Sequence, residues 1–321
     1  MQYRNMADTG VRLSALSLGG WASFGDVLKD EAAVKAIVAH AHDKGVNFFD
    51  MADAYARGES ERIMGMALAR LPRHELVLSS KVYRPMSDDV NDRGLSRKHI
   101  FESIDRSLRR IGTDYLDIYF CHRDDPDTAI DDTVRAMDDL VRAGKVLYWG
   151  TSEWPAGKIE KAIDVAGRFL HRPRVEQSHY NLLERARVES ELAPLVDGNR
   201  LALTVYAPLA SGLLSGKYDD GLPAGSRLQR LDAQRQQWYR EDRIERVRRF
   251  GRVADAIGAT RSQVALAWLL TRKRVASVIT GATSLAQLRE NLAAADLALD
   301  DAALGAIDAL FAGADAGQPG R

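Results

Sequence analysis

Residues 116–150 read LDIYFCHRDDPDTAIDDTVRAMDDLVRAGKVLYWG. Leu116–Cys121 and Val146–Gly150 are short, nearly continuous apolar runs with β-branched and aromatic residues, the pattern of strands covered on both faces. Between them, Asp132–Ala143 spaces its apolar residues three and four apart, as an amphipathic helix does. Gly144 then stands where a left-handed helix cap is needed. The stretch therefore reads as a strand, a crossover helix and a second strand.

Working outward, the unit recurs. Ala15–Leu18, Val46–Asp50, Leu76–Ser80, Val175–Ser178, Ala202–Tyr206 and Val278–Thr280 read as further buried strands. Helical spacing is clearest over Ala32–Lys44, Glu61–Ala69, His99–Ile111 and Lys158–Arg168, and Gly45 and Gly112 suit caps. Met1–Ser14, with its turn signal at Asp8-Thr9-Gly10, reads as a β-hairpin. Eight strand–helix units predict an α/β fold, a (β/α)8 TIM barrel, as one domain over residues 1–321. The alternative is an open doubly wound sheet. A nucleotide-binding sheet of that kind would want G-x-G-x-x-G after its first strand, and Leu18-Gly19-Gly20-Trp21 lacks the spacing. From Ser211 to Asp242 the rhythm breaks into a Gly-, Pro- and charge-rich stretch, predicted as a long loop over the barrel mouth. The tail from Gly313 is expected to fray.

Composition narrows the function classes. Lys+Arg and Asp+Glu both number 45, which leaves no basic excess for nucleic acid. The one cysteine, Cys121, excludes an internal disulfide and fits a reducing, cytoplasmic setting. No apolar run approaches a membrane span, and no signal peptide is visible, so no membrane role is expected. No Cys/His spacing suggests a metal.

Polar residues at the C-terminal ends of barrel strands face the mouth where active sites form. Asp50, Lys81, His122, Ser152 and Gln177 occupy such ends, and Tyr55 lies five residues beyond Asp50. A phenol titrates near ~10, and a neighbouring ammonium lowers that value. Lys81 could supply the ammonium, Asp50 could hold it charged, and His122 could hydrogen-bond a substrate carbonyl. Such a set delivers a proton but no hydride, so it requires a cofactor. Each residue alone also has a structural reading, as a cap, a solvated charge or a core hydrogen-bonder. Asp124-Asp125-Pro126-Asp127 could be glycosidase carboxylates but reads better as a loop and helix N-terminus. Ser211–Lys217 departs from a P-loop, yet could present backbone N–H groups, hydroxyls and an ammonium to phosphates. Arg240–Arg252 reads as a solvated helix face.

These residues carry a resemblance. The segments Phe49-Asp50-Met51-Ala52-Asp53-Ala54-Tyr55, Ser80-Lys81, Tyr115–Asp117 running to His122-Arg123, Gly150-Thr151-Ser152, Gln177 with Tyr180–Leu183, Tyr206–Leu209, Gly212–Tyr218 and Gly281-Ala282-Thr283 with Gln287, Glu290 and Asn291 resemble the aldo-keto reductases over nearly the whole chain. The likeness is strongest to the branch of voltage-gated potassium channel β-subunits and their bacterial relatives. It implies the catalytic set Asp50, Tyr55, Lys81 and His122, with Tyr55 as the acid. It implies NADPH, or NADH, across the barrel mouth. Gly20, Trp21 and Asp50 would border the cofactor, Ser152 and Gln177 would hold its carboxamide, and Tyr206 would stack on the nicotinamide. Ala207, Pro208, Leu209, Ser211, Ser215 and Lys217 would hold the pyrophosphate; Arg227, Gly281, Thr283, Gln287, Glu290 and Asn291 the adenosine end. Substrate walls are expected from Trp21, Tyr55, Tyr83, His122, Arg123 and Trp154.

Met51 stands where the family has a smaller residue, commonly Thr. Gln287 stands where many members carry a phosphate-binding Arg, so a preference for NADP rests on Arg227 and Thr283. Channel subunits tend to have Asn at the place of His122. The expectation is an NADPH-dependent oxidoreductase acting on a small-molecule carbonyl substrate. The alternative is a cofactor-sensing, weakly catalytic binding subunit. Relatives in this branch are often tetramers or larger, which leaves a homo-oligomer open.

Overall fold

A computed structural model describes residues 1–199 and 201–314. The hairpin forms from β1 (Tyr3–Asn5) and β2 (Arg12–Ser14). Then follow β3 (Leu16–Gly19), β4 (Phe48–Asp50), β5 (Val77–Val82), β6 (Leu116–Cys121), β7 (Val146–Ser152), β8 (Val175–His179), β9 (Ala202–Tyr206) and β10 (Val275–Thr280). Among the described residues these eight pair in parallel and close into a barrel in the order β10-β3-β4-β5-β6-β7-β8-β9. The barrel expectation therefore holds, and the open sheet is excluded.

The connecting helices are α1 (Glu31–Asp43), α2 (Glu59–Leu68), α3 (Arg97–Ile111), α4 (Ile130–Arg142), α5 (Ala156–Ala166) and α6 (Ala193–Asn199). After β9 come α7 (Arg227–Arg230), α8 (Asp232–Trp238), α9 (Glu241–Ile257) and α10 (Arg261–Thr271); after β10 come α11 (Leu285–Ala293) and α12 (Asp301–Phe311). Their starts follow capping chemistry: the Asp30 carboxylate accepts from Ala32 N, and Thr260 with Gln263 forms a capping box at α10. Gly112 closes α3 at φ +76°, in the left-handed region glycine tolerates.

Inside the barrel, Phe48, Val77, Ile118, Phe120, Val175, Ala202 and Ile279 form one apolar cluster, which the hairpin completes with Met6 and Leu13. A larger layer between strands and helices includes Leu78, Tyr119, Trp149, Leu203 and Val278. Adjacent residues such as Ile118 and Tyr119 thus belong to different layers, as the two-residue period of a strand requires.

Two expectations are corrected. The stretch 211–242 is not a plain loop: Ala210–Ser215 forms a 3-10 turn, and α7 and α8 follow. The last strand begins at Val275, with a register irregularity between Val275 and Ser277 against β9. Fraying beyond Gly313 concerns residues 315–321, outside those described. Among the described residues, no helix is long and apolar enough to cross a membrane.

Candidate active site

Strand parity builds the mouth. Counting by twos from the interior residues Phe48, Val77, Phe120 and Val175 leads to Asp50, to Ser79 and Lys81, to His122, and to Gln177 and His179. At the end of β4, the Asp50 carboxylate gathers three donors. Lys81 Nζ donates to Oδ2 at 2.7 Å, and Ser79 Oγ and Gln177 Nε2 donate to Oδ1 at 2.7 and 3.0 Å. Lys81 Nζ also donates to Met51 O at 2.6 Å. Asp50 and Lys81 are 2% and 0% exposed, so this is a buried, hydrogen-bonded ion pair.

Tyr55 opens a 3-10 turn, Tyr55–Gly58. Ala56 and Arg57 there take left-handed φ of 49° and 54°, strain of the kind that concentrates at functional sites. Lys81 Nζ lies 4.8 Å from the centroid of the Tyr55 ring. The His122 ring meets that of Tyr55 edge-on, with centroids 5.8 Å apart.

Burial decides the protonation states. It holds His122 well below the usual imidazole range, and the Lys81, Arg123 and Arg84 charges push the same way. The ring is therefore neutral at physiological pH. Burial also lowers Lys81, against the pull of Asp50 upward. Tyr55 is raised well above 10, first by burial and then by Asp50. That sign reverses the expectation that Lys81 lowers the Tyr55 pKa. The ammonium's field is largely neutralised by Asp50, and desolvation of the phenolate dominates.

A cavity of about 1370 Å³ runs from Tyr55 and His122 across the mouth to Glu290 and Asn291. It exceeds a drug-sized pocket and leaves room for an extended ligand beside a small one. Trp21, Asp50, Arg123, Ser152, Gln177 and Tyr206 line it at the carbonyl end; Ala207, Pro208, Leu209, Ser211, Ser215 and Lys217 line its middle; Arg227, Gly281, Thr283, Gln287, Glu290 and Asn291 line the far end. Four expected residues are not in the wall. Gly20 instead faces Ser60 and Met64, where a Cβ would stand 2.3 Å from Ser60 Oγ. Lys81 sits behind Asp50. Tyr83 packs against the outer apolar layer, and Trp154, at 1% exposure, lies within it. The substrate-wall expectation is thus corrected at Tyr83 and Trp154: these rings were needed for packing.

The middle of the cavity fits a dinucleotide's phosphates. Ala207, Ala210, Ser211 and Gly212 all have positive φ, and the Ala210 and Gly212 N–H groups close the turn on Ala207 O at 3.0 Å and Leu209 O at 2.8 Å, which fixes the loop that carries Ser211, Ser215 and Lys217. A Cβ on Gly212 would come within 2.7 Å of Lys217 Nζ, so the loop leaves that space to the ammonium. Lys217 and Arg227 have no carboxylate within ion-pair distance among the described residues, and the Arg227 guanidinium lies 5.2 Å from the centroid of the Trp21 ring.

Sequence reasoning missed Arg84, His179 and Arg243 in this wall, which Trp238 also lines. His179 has the parity of Gln177, a signal that could have found it. It stacks on Trp238 at 5.3 Å and meets Tyr206 edge-on at 5.1 Å, with Nδ1 2.5 Å from Glu184 Oε2. Arg243 was expected on a solvated face, but it is 4% exposed. Its guanidinium lies 4.8 Å from the Trp238 ring centroid and donates to Gln237 O at 3.2 Å.

On the far side of β4, Asp53 is fully buried. Ser103 Oγ donates to its Oδ2 at 2.9 Å, while Oδ1 has no partner. Burial, reinforced by Glu61, pushes its carboxyl up to about 7. The folded chain therefore holds this proton more tightly than the unfolded chain. The associated stability is full below the unfolded carboxylate range and is lost as pH rises through about 7. Asp53→Asn, which mimics the protonated form, should raise stability by roughly a few kcal/mol at about pH 8 and by little at about pH 4. Thermal melts at both pH values check this.

The closed barrel with a Tyr, Lys, Asp and His set at its C-terminal mouth defines a class that comparison identifies: the chain belongs to the aldo/keto reductase family, whose model matches residues 15–312. The relatives it resembles include a probable voltage-gated potassium channel subunit beta of Arabidopsis thaliana, 43% identical over 92% of each chain. A protein of the same description from Oryza sativa subsp. japonica is 44% identical over 92% of each chain. A putative subunit from Schizosaccharomyces pombe is 40% identical over 92% of this chain and 88% of its own. Family membership supports oxidoreductase activity with a nicotinamide cofactor.

Proposed function

We propose that the protein is an NADPH-dependent reductase of aldehydes or ketones, with Tyr55 as the proton donor. The observation that carries this reading is a single cavity with Tyr55 and neutral His122 at one end and an uncompensated anion cradle at Lys217 in its middle. Ser152 and Gln177 would hold the cofactor's carboxamide, and Tyr206 would stand beside its ring. The backbone of Ala207, Pro208 and Leu209, with Ser211, Ser215 and Lys217, takes the pyrophosphate. Arg227, Gly281, Thr283, Gln287, Glu290 and Asn291 take the adenosine end, and Arg227 with Thr283 favours NADP over NAD. A bound reduced nicotinamide supplies a hydride to the carbonyl carbon.

His122 donates a hydrogen bond to the carbonyl oxygen and fixes its direction. Tyr55 keeps its proton until negative charge develops on that oxygen, then transfers it. The phenolate left behind has the Lys81 ammonium as its adjacent cation, 4.8 Å from the ring centroid. Asp50 keeps that ammonium charged and in place. The buried, unpaired Cys121 fits a reducing cytoplasm. The whole of residues 1–321 acts as one reductase domain in this reading.

A side chain on Gly212, at φ +92°, should displace Lys217 from the cradle. Gly212→Val is expected to raise the KM for NADPH about ten-fold or more with a smaller change in kcat. Steady-state kinetics separates the two.

The names of the relatives support a second reading, a cofactor-sensing subunit of a membrane protein. One experiment tests both: NADPH and NADH are mixed separately with the protein and a nitrobenzaldehyde, methylglyoxal or glyceraldehyde, and nicotinamide absorbance is followed. Aldehyde-dependent oxidation supports the reductase. Tight NADPH binding with no carbonyl reduced supports the sensing subunit.

A further inference from the structure

We infer that the substrate is a short aldehyde or ketone bearing an anionic group, carboxylate or phosphate, which Arg84 and Arg123 bind beside Tyr55 and His122. The inference rests on the reductase reading and names its substrate class. Both arginines line the cavity at its carbonyl end. Arg123 directly follows His122 and folds back, donating from Nη1 to His122 O at 2.6 Å and approaching Ser152 Oγ at 3.5 Å. Its guanidinium is therefore held within a side chain's length of the reacting carbonyl. Arg84 follows the neighbouring strand β5, three residues beyond Lys81, so the two arginines leave adjacent strand ends; Arg84 is exposed and lines the cavity.

Neither guanidinium has a carboxylate within ion-pair distance among the described residues. The nearby acids are already committed. Asp50 is bound by Lys81, Asp53 by Ser103 on the outer side of the strand, and Asp26 lies 3.5 Å from Arg230. Both arginine charges act on Tyr55 and on His122: at His122 they add to that of Lys81, while at Tyr55 they oppose the stronger effect of Asp50. Guanidinium forks match carboxylate and phosphate oxygens with paired, charge-assisted hydrogen bonds. A neutral aldehyde would leave both guanidiniums without an anionic partner beside the reacting groups.

The anionic group is a handle and leaves unchanged. The carbonyl carbon is reduced as the nicotinamide is oxidised, and the carbonyl oxygen takes the Tyr55 proton.

Two matched pairs test this: 4-carboxybenzaldehyde against its methyl ester, and glyceraldehyde 3-phosphate against glyceraldehyde. In at least one pair, kcat/KM for the anionic member should exceed that of its neutral partner about ten-fold or more, and added salt should shrink the ratio. Which pair shows it tells carboxylate from phosphate. Arg84→Gln should collapse the ratio, and Arg84→Lys should restore part of it. Equal rates within both pairs, or a ratio untouched by Arg84→Gln, overturn the inference.

Failure of the reductase reading looks different, since then no member of either pair is reduced. The anion site is in that case read by binding to the NADP+ complex, where 4-carboxybenzyl alcohol should outbind benzyl alcohol and lose the advantage in Arg84→Gln. Equal binding of the two alcohols overturns the inference by itself.

Discussion

Tyr55→Phe should lower kcat about a thousand-fold while changing NADPH affinity by no more than about two-fold. The hydroxyl sits at the carbonyl end of the cavity, whereas the proposed phosphate cradle lies beyond Tyr206, on Ala207–Lys217. Removing one oxygen deletes a proton whose transfer matters in the transition state and little in the ground state. The ring itself remains, with its edge-on contact to His122 and its face toward Lys81, so the cavity keeps its shape. Single-turnover kinetics with cofactor binding by fluorescence separates the two quantities. Full activity in the variant would remove Tyr55 from the mechanism.

Lys81→Met should be damaging in two separable ways. It leaves the Asp50 carboxylate, 2% exposed, without its cation; Ser79 and Gln177 remain as donors. Breaking one partner of a buried pair costs about 3–5 kcal/mol. With the cation gone, burial favours the protonated acid, so the loss of stability should grow as pH rises. The double variant Asp50→Asn/Lys81→Met removes both charges and should recover most of the melting temperature. Turnover should stay lost in both, because the phenolate no longer has an adjacent ammonium. Recovery of turnover together with stability would reduce the pair to a structural role.

Much of this geometry was legible in the sequence because strands impose a two-residue alternation. Once Val46–Asp50 and Leu116–Cys121 read as strands, Asp50 and His122 had to lie at one mouth. The same parity would have led from Gln177 to His179. Other features left no such trace. Helices α7 and α8 span four and seven residues, too short for helical periodicity to emerge from a polar stretch. Arg243 sits in an arginine-rich helix that reads as solvated, yet its planar cation packs on Trp238 as an aromatic neighbour allows. Trp154 follows a strand end in sequence but turns into the outer apolar layer, and Arg84 lies on a loop where alternation has ended. The sign of the Tyr55 shift was out of reach for a related reason: a sequence names the neighbouring charge but not the depth of burial that outweighs it.

The central claim is hydride and proton delivery to a bound carbonyl, and deuterium transfer tests it most directly. The protein is loaded with NADPH deuterated at the transferring position of the nicotinamide ring and mixed with 4-carboxybenzaldehyde and 4-nitrobenzaldehyde in separate reactions. The alcohol formed is then examined by mass spectrometry. The account predicts deuterium on the former carbonyl carbon with wild-type protein, and product formation suppressed in Tyr55→Phe. Deuterated cofactor that binds tightly while both aldehydes are recovered unreduced would contradict it and leave the barrel as a cofactor-binding subunit.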